Sequence, residues 1–295
     1  MNKRILAFVL AFSASLIYGV SFTVAKDVMP LYIKPYGFIL LRVVGATLLF
    51  WLISLSVPKE KITANDFVRI FFAALFGVVI NMLFFFKGLS LTTPINGSVI
   101  MTTTPILVLL LSFVILRDKI TVKKIMGILI GMIGALLLVL YGPKAVSNAP
   151  DIKLGNFLIF VNAASYGFYL IVVKPLLKKY HPFHLVKWIY LMGLLMVIPF
   201  GFSEVLQVNW QLMPVVIFYK IGFIVFFTTF LTYLFNLLAL KTLKATTLSV
   251  FLYLQPLIAS IYAIIMGSDH LTSLKLIAAT LVFTGVYLVS SRKTA

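Results

Sequence analysis

Ten long apolar runs separated by short connections constrain the fold of this chain more than any other feature of its sequence. A helix that spans a bilayer needs about 20 mostly apolar residues, and each run approaches that length. The runs of the first half are approximately Ile5–Ala25, Pro35–Val57, Phe67–Lys87, Ile95–Leu116 and Lys124–Tyr141. The runs of the second half are approximately Leu154–Lys174, Phe183–Ser203, Val215–Leu238, Thr247–Met266 and Leu274–Ser291. The pattern predicts an all-α integral membrane protein with ten transmembrane helices, surrounded by a lipid bilayer.

The composition agrees with this prediction and leaves no room for a sizeable soluble domain. Hydrophobic residues make up 62% of the chain and charged residues only 11%, whereas about 25% of the residues in soluble domains are charged. The first apolar run continues to about Ala25, which is longer than the apolar region of a secretory signal peptide. We therefore expect this run to be retained as the first transmembrane helix.

The net charge of +18 is distributed over alternate connections. Arg117, Lys119, Lys123 and Lys124 lie between the fourth and fifth runs, whereas the connection before the tenth run has only Lys275. Because basic residues accumulate on the cytoplasmic side of membrane proteins, we expect a multi-pass protein of the cell membrane with both termini cytoplasmic. The bacterial inner membrane is the expected location. This distribution accounts for the basic charge without nucleic acid binding.

The two halves of the chain are related in sequence. An offset of 148 residues places Tyr18 on Tyr166 and Lys26 on Lys174. An offset of 151 then matches Ser98-Val99 with Ser249-Val250, Pro105 with Pro256, Asp118 with Asp269, and Gly134 with Gly285. Because each half has five helices, an odd number, the second half must enter the membrane with opposite polarity. We therefore predict two inverted five-helix repeats, at residues 1–143 and 150–293.

The segment from Asn81 to Leu140 has a recognisable sequence, NMLFFFKGLSLTTPINGSVIMTTTPILVLLLSFVILRDKITVKKIMGILIGMIGALLLVL. It resembles the EamA-like domain of the drug/metabolite transporter superfamily, in which two such domains occur in tandem. Its Thr-rich entry to the fourth helix, Pro105 and the charged turn around Asp118 carry the resemblance. The resemblance implies a transporter of amino acids, nucleotide derivatives, drugs or other metabolites, with export as the direction by analogy. The family often has Glu at this turn, so we expect Asp118 to act as a cap or charge partner.

Inverted repeats place a substrate site near the bilayer midplane, where the two halves meet. Polar residues deep within the runs are expected to face this interior rather than lipid. The candidate substrate-binding residues are Tyr18, Arg42, Asn81, Phe85, Asn96, Thr103, Thr104, Asn162, Tyr166, Tyr169, Tyr233, Asn236, Tyr253 and Gln255. An aromatic cavity with scattered amides and hydroxyls suits neutral or zwitterionic solutes such as amino acids. The alternative role for these groups is hydrogen bonding between helices.

Arg42 lies about a third of the way into the second run. Because an arginine within a membrane is costly, it is a functional candidate by default. Three roles are compatible with its position: binding a substrate carboxylate, extending outward to the membrane surface, or pairing with Asp27.

Pro105 and Pro256 occupy matching places in the fourth and ninth runs and predict helix kinks. Each proline lacks an N–H group, so a carbonyl near Met101 or Leu252 loses its usual donor. That carbonyl either faces substrate or water, or is satisfied by a neighbouring Thr or Ser.

The acidic residues limit the ways in which transport could be coupled to an ion gradient. All seven lie at or beyond the ends of the runs: Asp27, Glu60, Asp66, Asp118, Asp151, Glu204 and Asp269. Because proton and sodium coupling commonly use intramembrane carboxylates, we expect facilitated diffusion or exchange.

Enzymatic chemistry has little support in the sequence. Cysteine is absent, and His181 and His184 have no third metal ligand nearby. We therefore expect no metal, no cofactor and no catalytic site. A protein that translocates or modifies lipids is the alternative to a metabolite transporter.

Overall fold

The computed structural model describes residues 2–29, 31–92, 94–141, 150–265 and 271–291. Ten helices in these ranges are long and apolar enough to cross a membrane, which confirms the sequence prediction. We number them α1 (Lys3–Val28), α2 (Pro35–Ser54), α3 (Ala64–Leu91), α4 (Pro94–Met101 and Thr104–Leu116) and α5 (Val122–Leu140). The second half contains α6 (Ile152–Leu176), α7 (Pro182–Leu206), α8 (Val215–Thr242), α9 (Ala245–Val250, Phe251–Tyr253 and Leu254–Ile265) and α10 (Ser273–Ser290).

Equivalent local sequences begin equivalent helices. The side chain of Thr121 accepts a hydrogen bond from Lys124 N at the start of α5, and Thr272 accepts one from Lys275 N at the start of α10. Both threonines satisfy an N–H group that the first turn leaves without a partner. The start of α1 and the end of α10 lie on one side of the bundle, where the Arg4 guanidinium donates to the Ser290 carbonyl at 2.6 Å, and we call this the terminal side.

The helices pack with the symmetry expected of two inverted repeats. The most extensive pairings are α5 with α10 and α2 with α7, each joining one helix to its counterpart. In addition, α1 packs on α8 and α9 of the other half, and α6 packs correspondingly on α3 and α4. This exchange produces two three-helix units, which we call group A (α1, α8 and α9) and group B (α6, α3 and α4).

Small residues allow the counterpart helices to approach closely. A Cβ atom added at Gly285 of α10 would lie 2.6 Å from the backbone of Gly131 in α5. Close backbone approach at small residues is a common mode of helix association in membranes. The matched Gly134 and Gly285 of the two repeats therefore have a packing role at the interface between them.

Irregular turns interrupt the helices near the middle of the bundle. Wide π-helical turns occur at Leu75–Ile80 in α3 and at Ile224–Leu231 in α8, which are equivalent positions in the two repeats. The α4 helix breaks just before Pro105, and α9 tightens to a 3₁₀ turn just before Pro256. Such local departures are frequent at functional sites, and here they surround a cavity.

Candidate substrate cavity

A cavity of about 160 Å³ lies between group A and group B. An engineered cavity of about 150 Å³ holds one benzene molecule, so this volume suits a small organic solute. Eight of the predicted residues line it: Tyr18, Arg42, Asn81, Phe85, Asn162, Tyr166, Tyr233 and Gln255. Both repeats contribute to the lining, so the cavity lies where the inverted arrangement predicted a site.

The cavity extends from the middle of the bundle toward the side opposite the chain termini. Tyr18, Tyr166 and Tyr233 line it well inside their helices, and Met29 and Leu89 line it near the far ends of α1 and α3. Access to the cavity is therefore expected from the side opposite the terminal side.

Tyrosine rings underlie the cavity. The Tyr233 hydroxyl donates to the carbonyl oxygen of Gly77 at 2.8 Å, within the π turn of α3. Its ring centroid lies 5.1 Å from that of Tyr190 and 6.2 Å from that of Tyr169. Tyr169, one of the predicted residues, is buried and packs against Gly77. It supports the wall from behind rather than lining the cavity.

Arg42 is buried at 6% exposure and lines the cavity. Its Nε donates to the Thr229 hydroxyl at 3.0 Å, and that hydroxyl donates to the carbonyl of Ile224 at 2.9 Å. The guanidinium lies 5.3 Å from the centroid of the Phe86 ring. Asp27 pairs instead with Lys220, at 2.6 Å. Arg42 therefore neither extends outward to the membrane surface nor pairs with Asp27.

Hydrogen bonds hold several polar lining residues in place. Asn162 Nδ2 donates to the carbonyl oxygen of Asn81 at 2.6 Å, which joins α6 to α3 within group B. The hydroxyls of Ser21 and Thr228 lie 2.6 Å apart and join α1 to α8 within group A. For these residues, hydrogen bonding between helices and cavity lining occur together.

Five other predicted residues take different positions. Thr103 and Thr104 donate to the carbonyls of Ile100 and Met101, each at 2.7 Å, within the break of α4. The Met101 carbonyl, which loses its usual donor because of Pro105, is thus satisfied by a neighbouring threonine. This is the second of the two roles that the sequence left open for that carbonyl.

The remaining three candidates also lie outside the lining that the structure describes. Asn236 is buried behind Tyr18, whose hydroxyl it meets. The ring of Tyr253 packs against Gly131 of α5. The side chain of Asn96 lies outside the described part of the structure.

Sequence reasoning missed the apolar part of the lining. Met29, Met82, Phe86, Met101 and Leu252 all line the cavity. In helices that are apolar on every face, such residues give no periodic signal. The internal repeat did give a signal for two of them, because Met101 and Leu252 are equivalent residues, each four positions before Pro105 or Pro256.

Polar contacts close the terminal side between the two groups. The Lys174 ammonium at the end of α6 donates to the carbonyls of Leu240 and Leu243 at the end of α8, the latter at 2.6 Å. Lys244 pairs with Asp118 at 3.0 Å, which confirms Asp118 as a charge partner. The Lys174 contacts join α6 of group B to the end of α8 in group A. The Lys244 pair joins the residue before α9 of group A to the turn that follows α4 of group B. Together these contacts hold the terminal side shut.

The two candidate metal-binding histidines have other partners. His184 Nε2 lies 2.6 Å from the Pro58 carbonyl, and His181 Nδ1 accepts from Phe183 N at 3.3 Å. Within the described ranges, no three His, Cys, Asp or Glu side chains form a cluster that could hold a metal ion.

Ten spanning helices, two inverted repeats and a shared cavity that is closed on one side define a class of membrane transporter. The family model of the EamA-like transporter family matches residues 5–140 and 153–291, so the chain belongs to that family. It is therefore a membrane transporter of the drug/metabolite transporter superfamily.

Similar proteins occur in distantly related organisms. The chain is 26% identical to the uncharacterized transporter YyaM of Bacillus subtilis over 290 residues, which cover 98% of this chain and 94% of that protein. It is 28% identical to an uncharacterized transporter of Archaeoglobus fulgidus, covering 94% and 95%. A WAT1-related protein of Arabidopsis thaliana is 29% identical over 150 residues, which cover 44% of this chain and 38% of that protein. One crystal structure has the same fold, with a TM-score of 0.79 at 15% identity, covering 97% of this chain and 96% of that one.

Proposed function

We propose that the protein carries small organic solutes across the cell membrane by alternating access around this cavity. The observation that carries the proposal is a cavity between groups A and B that extends toward one side while polar contacts shut the other. Rocking of two such groups would expose the same cavity alternately on the two sides. Neutral or zwitterionic metabolites such as amino acids are the solutes expected from the lining.

The finer parts of the proposal concern direction, membrane and coupling. We place both termini in the cytoplasm, in a bacterial inner membrane, on the basis of the basic flanks. Export is proposed by analogy with similar transporters. Transport by facilitated diffusion or exchange is proposed because no described acidic residue lines the cavity. Uphill solute movement driven by a proton gradient in vesicles would contradict this part.

The test is a metabolite screen in proteoliposomes that compares the wild type with Asn81→Ala and Gln255→Ala. Both side chains line the cavity and have no hydrogen-bond partner among the described residues. We expect each substitution to slow transport, because the solute loses a polar contact in the cavity. Thr280→Ala is the matched control, since Thr280 is an exposed side chain on α10. Unchanged transport in both cavity variants would overturn the placement of the site.

The alternative occupant is a lipid, which a protein of this fold could translocate or modify. Vesicles that contain fluorescent phospholipids test it directly, because translocation changes the fraction of lipid that an impermeant quencher can reach. We expect no difference between protein-containing and empty vesicles. Rapid lipid movement without solute movement would replace the metabolite proposal.

A further inference from the structure

The charge of the cavity lining restricts the substrate more closely than its polarity does. Arg42 is the only charged residue among the described residues that line the cavity. It forms none of the ion pairs that the structure shows, and Asp27, the nearest acidic candidate by sequence, is occupied by Lys220. A buried guanidinium without a counter-ion is costly in a membrane interior. An arginine in this position is therefore more readily explained by an anion that arrives from outside the chain.

The geometry of Arg42 leaves its outer edge available to such an anion. Nε is engaged with Thr229, which is itself fixed by its bond to Ile224 in the π turn. The Phe86 ring lies against the guanidinium. The terminal nitrogens have no partner among the described residues, and Arg42 lines the cavity. Two parallel N–H groups at the end of a fixed guanidinium match the two oxygens of a carboxylate.

The rest of the lining limits the charge and size of the ligand. Apart from Arg42 it is built from aromatic, methionine, aliphatic, amide and hydroxyl side chains. Among the described lining residues, no carboxylate could pair with an ammonium group, and no second cation could neutralise a dianion such as a phosphate ester. The volume of about 160 Å³ accommodates about one aromatic ring or an aliphatic body of similar size.

We propose that the substrate is a small organic monocarboxylate with an uncharged body, and that its carboxylate binds the terminal nitrogens of Arg42. Thr229 acts as a positioning residue that fixes the plane of the guanidinium. The inference rests on the proposed transport function and narrows it, because it favours a single negative charge over the zwitterionic amino acids expected from the sequence.

A set of ligands that differ mainly in charge tests the proposal on the purified full-length protein. Phenylpyruvate provides a monocarboxylate, phenylalanine a zwitterion, phenethylamine a cation and phenylacetamide a neutral molecule, and pyruvate tests a smaller body. Binding is measured as ligand-dependent thermal stabilisation in detergent. We expect the monocarboxylates to bind at least about tenfold more tightly than the other ligands. Equal or tighter binding of the zwitterionic, neutral or cationic ligand would overturn the proposal.

Variants separate the charge of Arg42 from its structural contribution. Arg42→Gln is expected to weaken monocarboxylate binding by at least about tenfold and to remove the preference for the anion. Arg42→Lys keeps the charge and is expected to retain the preference at lower affinity, since it loses the paired geometry. Thr229→Val is expected to lower affinity for the monocarboxylate while keeping the preference for it. Lys220→Gln is the control, because that lysine pairs with Asp27 and does not line the cavity.

The same ligands in proteoliposomes distinguish failure of this inference from failure of the proposed function. Phenylpyruvate uptake that is lost in Arg42→Gln supports both. Transport of the neutral or zwitterionic ligand that is unaffected by Arg42→Gln contradicts the carboxylate assignment and leaves the transport function intact. If none of the organic solutes from the metabolite screen or this set crosses wild-type vesicles, the transport function fails, and the anion site is then decided by the binding measurements alone.

Discussion

Replacing Lys174 with methionine is expected to open the terminal side of the protein. The ammonium of Lys174 donates to the carbonyls of Leu240 and Leu243, so it joins α6 of group B to α8 of group A. Hydrogen bonds to a charged group contribute about 1.5–3 kcal/mol each. Because Lys174 is only partly buried, water replaces part of this contribution, and we expect a net loss of about 1–2 kcal/mol. A loss of this size shifts a two-state equilibrium by a factor of about 5–30.

The absence of cysteine from the chain allows this shift to be measured with a single introduced thiol. Ser249 is fully buried in the segment Ala245–Val250 of α9, which packs against α4 across the two groups. Ser249→Cys is nearly isosteric, and a maleimide reaches the thiol only when the groups separate. In the Lys174→Met background, the labelling rate of this cysteine is expected to rise by about 5–30-fold.

Three controls distinguish opening of the terminal side from other effects. Lys178→Met removes an exposed lysine four residues away and is expected to leave the rate unchanged. Ala135→Cys places a thiol at a fully buried position of α5, where faster labelling would indicate general loosening. Lys26 is the counterpart of Lys174 in the first repeat, so it is expected to help close the opposite side when the terminal side is open. Lys26→Met is therefore expected to lower the labelling rate of Ser249→Cys. A change of less than twofold in Lys174→Met, or an equal rise at both thiols, would refute the reasoning.

Two further substitutions test the packing that supports the cavity. In Gly285→Val the new Cβ would lie only 2.6 Å from the Gly131 backbone, so a loss of about 1–3 kcal/mol of stability is expected in chemical unfolding. Unchanged stability would contradict the close approach of α5 and α10. Tyr233→Phe removes the hydrogen bond to the Gly77 carbonyl, and a loss of about 0.5–1.5 kcal/mol is expected by the same measurement. If Tyr233→Phe has the stability of the wild type and unaltered solute binding, the hydroxyl of Tyr233 does not support the cavity wall.

The sequence was sufficient to predict the spans and their inverted arrangement, because both leave signals that survive without coordinates. Apolar length identifies a spanning helix, and the offset that matches Pro105 with Pro256 identifies the repeat. Helix ends were less accurate. The first run was predicted to end at Ala25, whereas α1 continues to Val28, and α3 begins at Ala64 rather than Phe67. Such ends depend on capping contacts rather than on hydropathy.

The cavity was only partly predictable, for a different reason. Polar residues deep within the spans, such as Asn81 and Gln255, were recognised because a polar group inside a membrane-spanning segment needs an explanation. The same argument could not separate them from Thr104, whose hydroxyl satisfies a carbonyl of its own helix. That distinction depends on which face each helix turns inward, and α4 is interrupted between Met101 and Thr104. The groups A and B were also not predicted, because the exchange of α1 and α6 between repeats has no local sequence signal.

The cavity combines a symmetric scaffold with an asymmetric charge, and this has a consequence for transport. The offset of 148 residues matches Tyr18 with Tyr166, both in the lining, but matches Arg42 with Tyr190. Arg42 lies on α2, which packs most extensively on its counterpart α7, contacts both groups and belongs to neither. If the groups exchange access between the two sides as proposed, an anion held by Arg42 would therefore stay on α2 between them. A single cation would then serve both conformations, so Arg42→Gln is expected to weaken anion binding to a similar extent when the ligand is supplied from either side of the membrane.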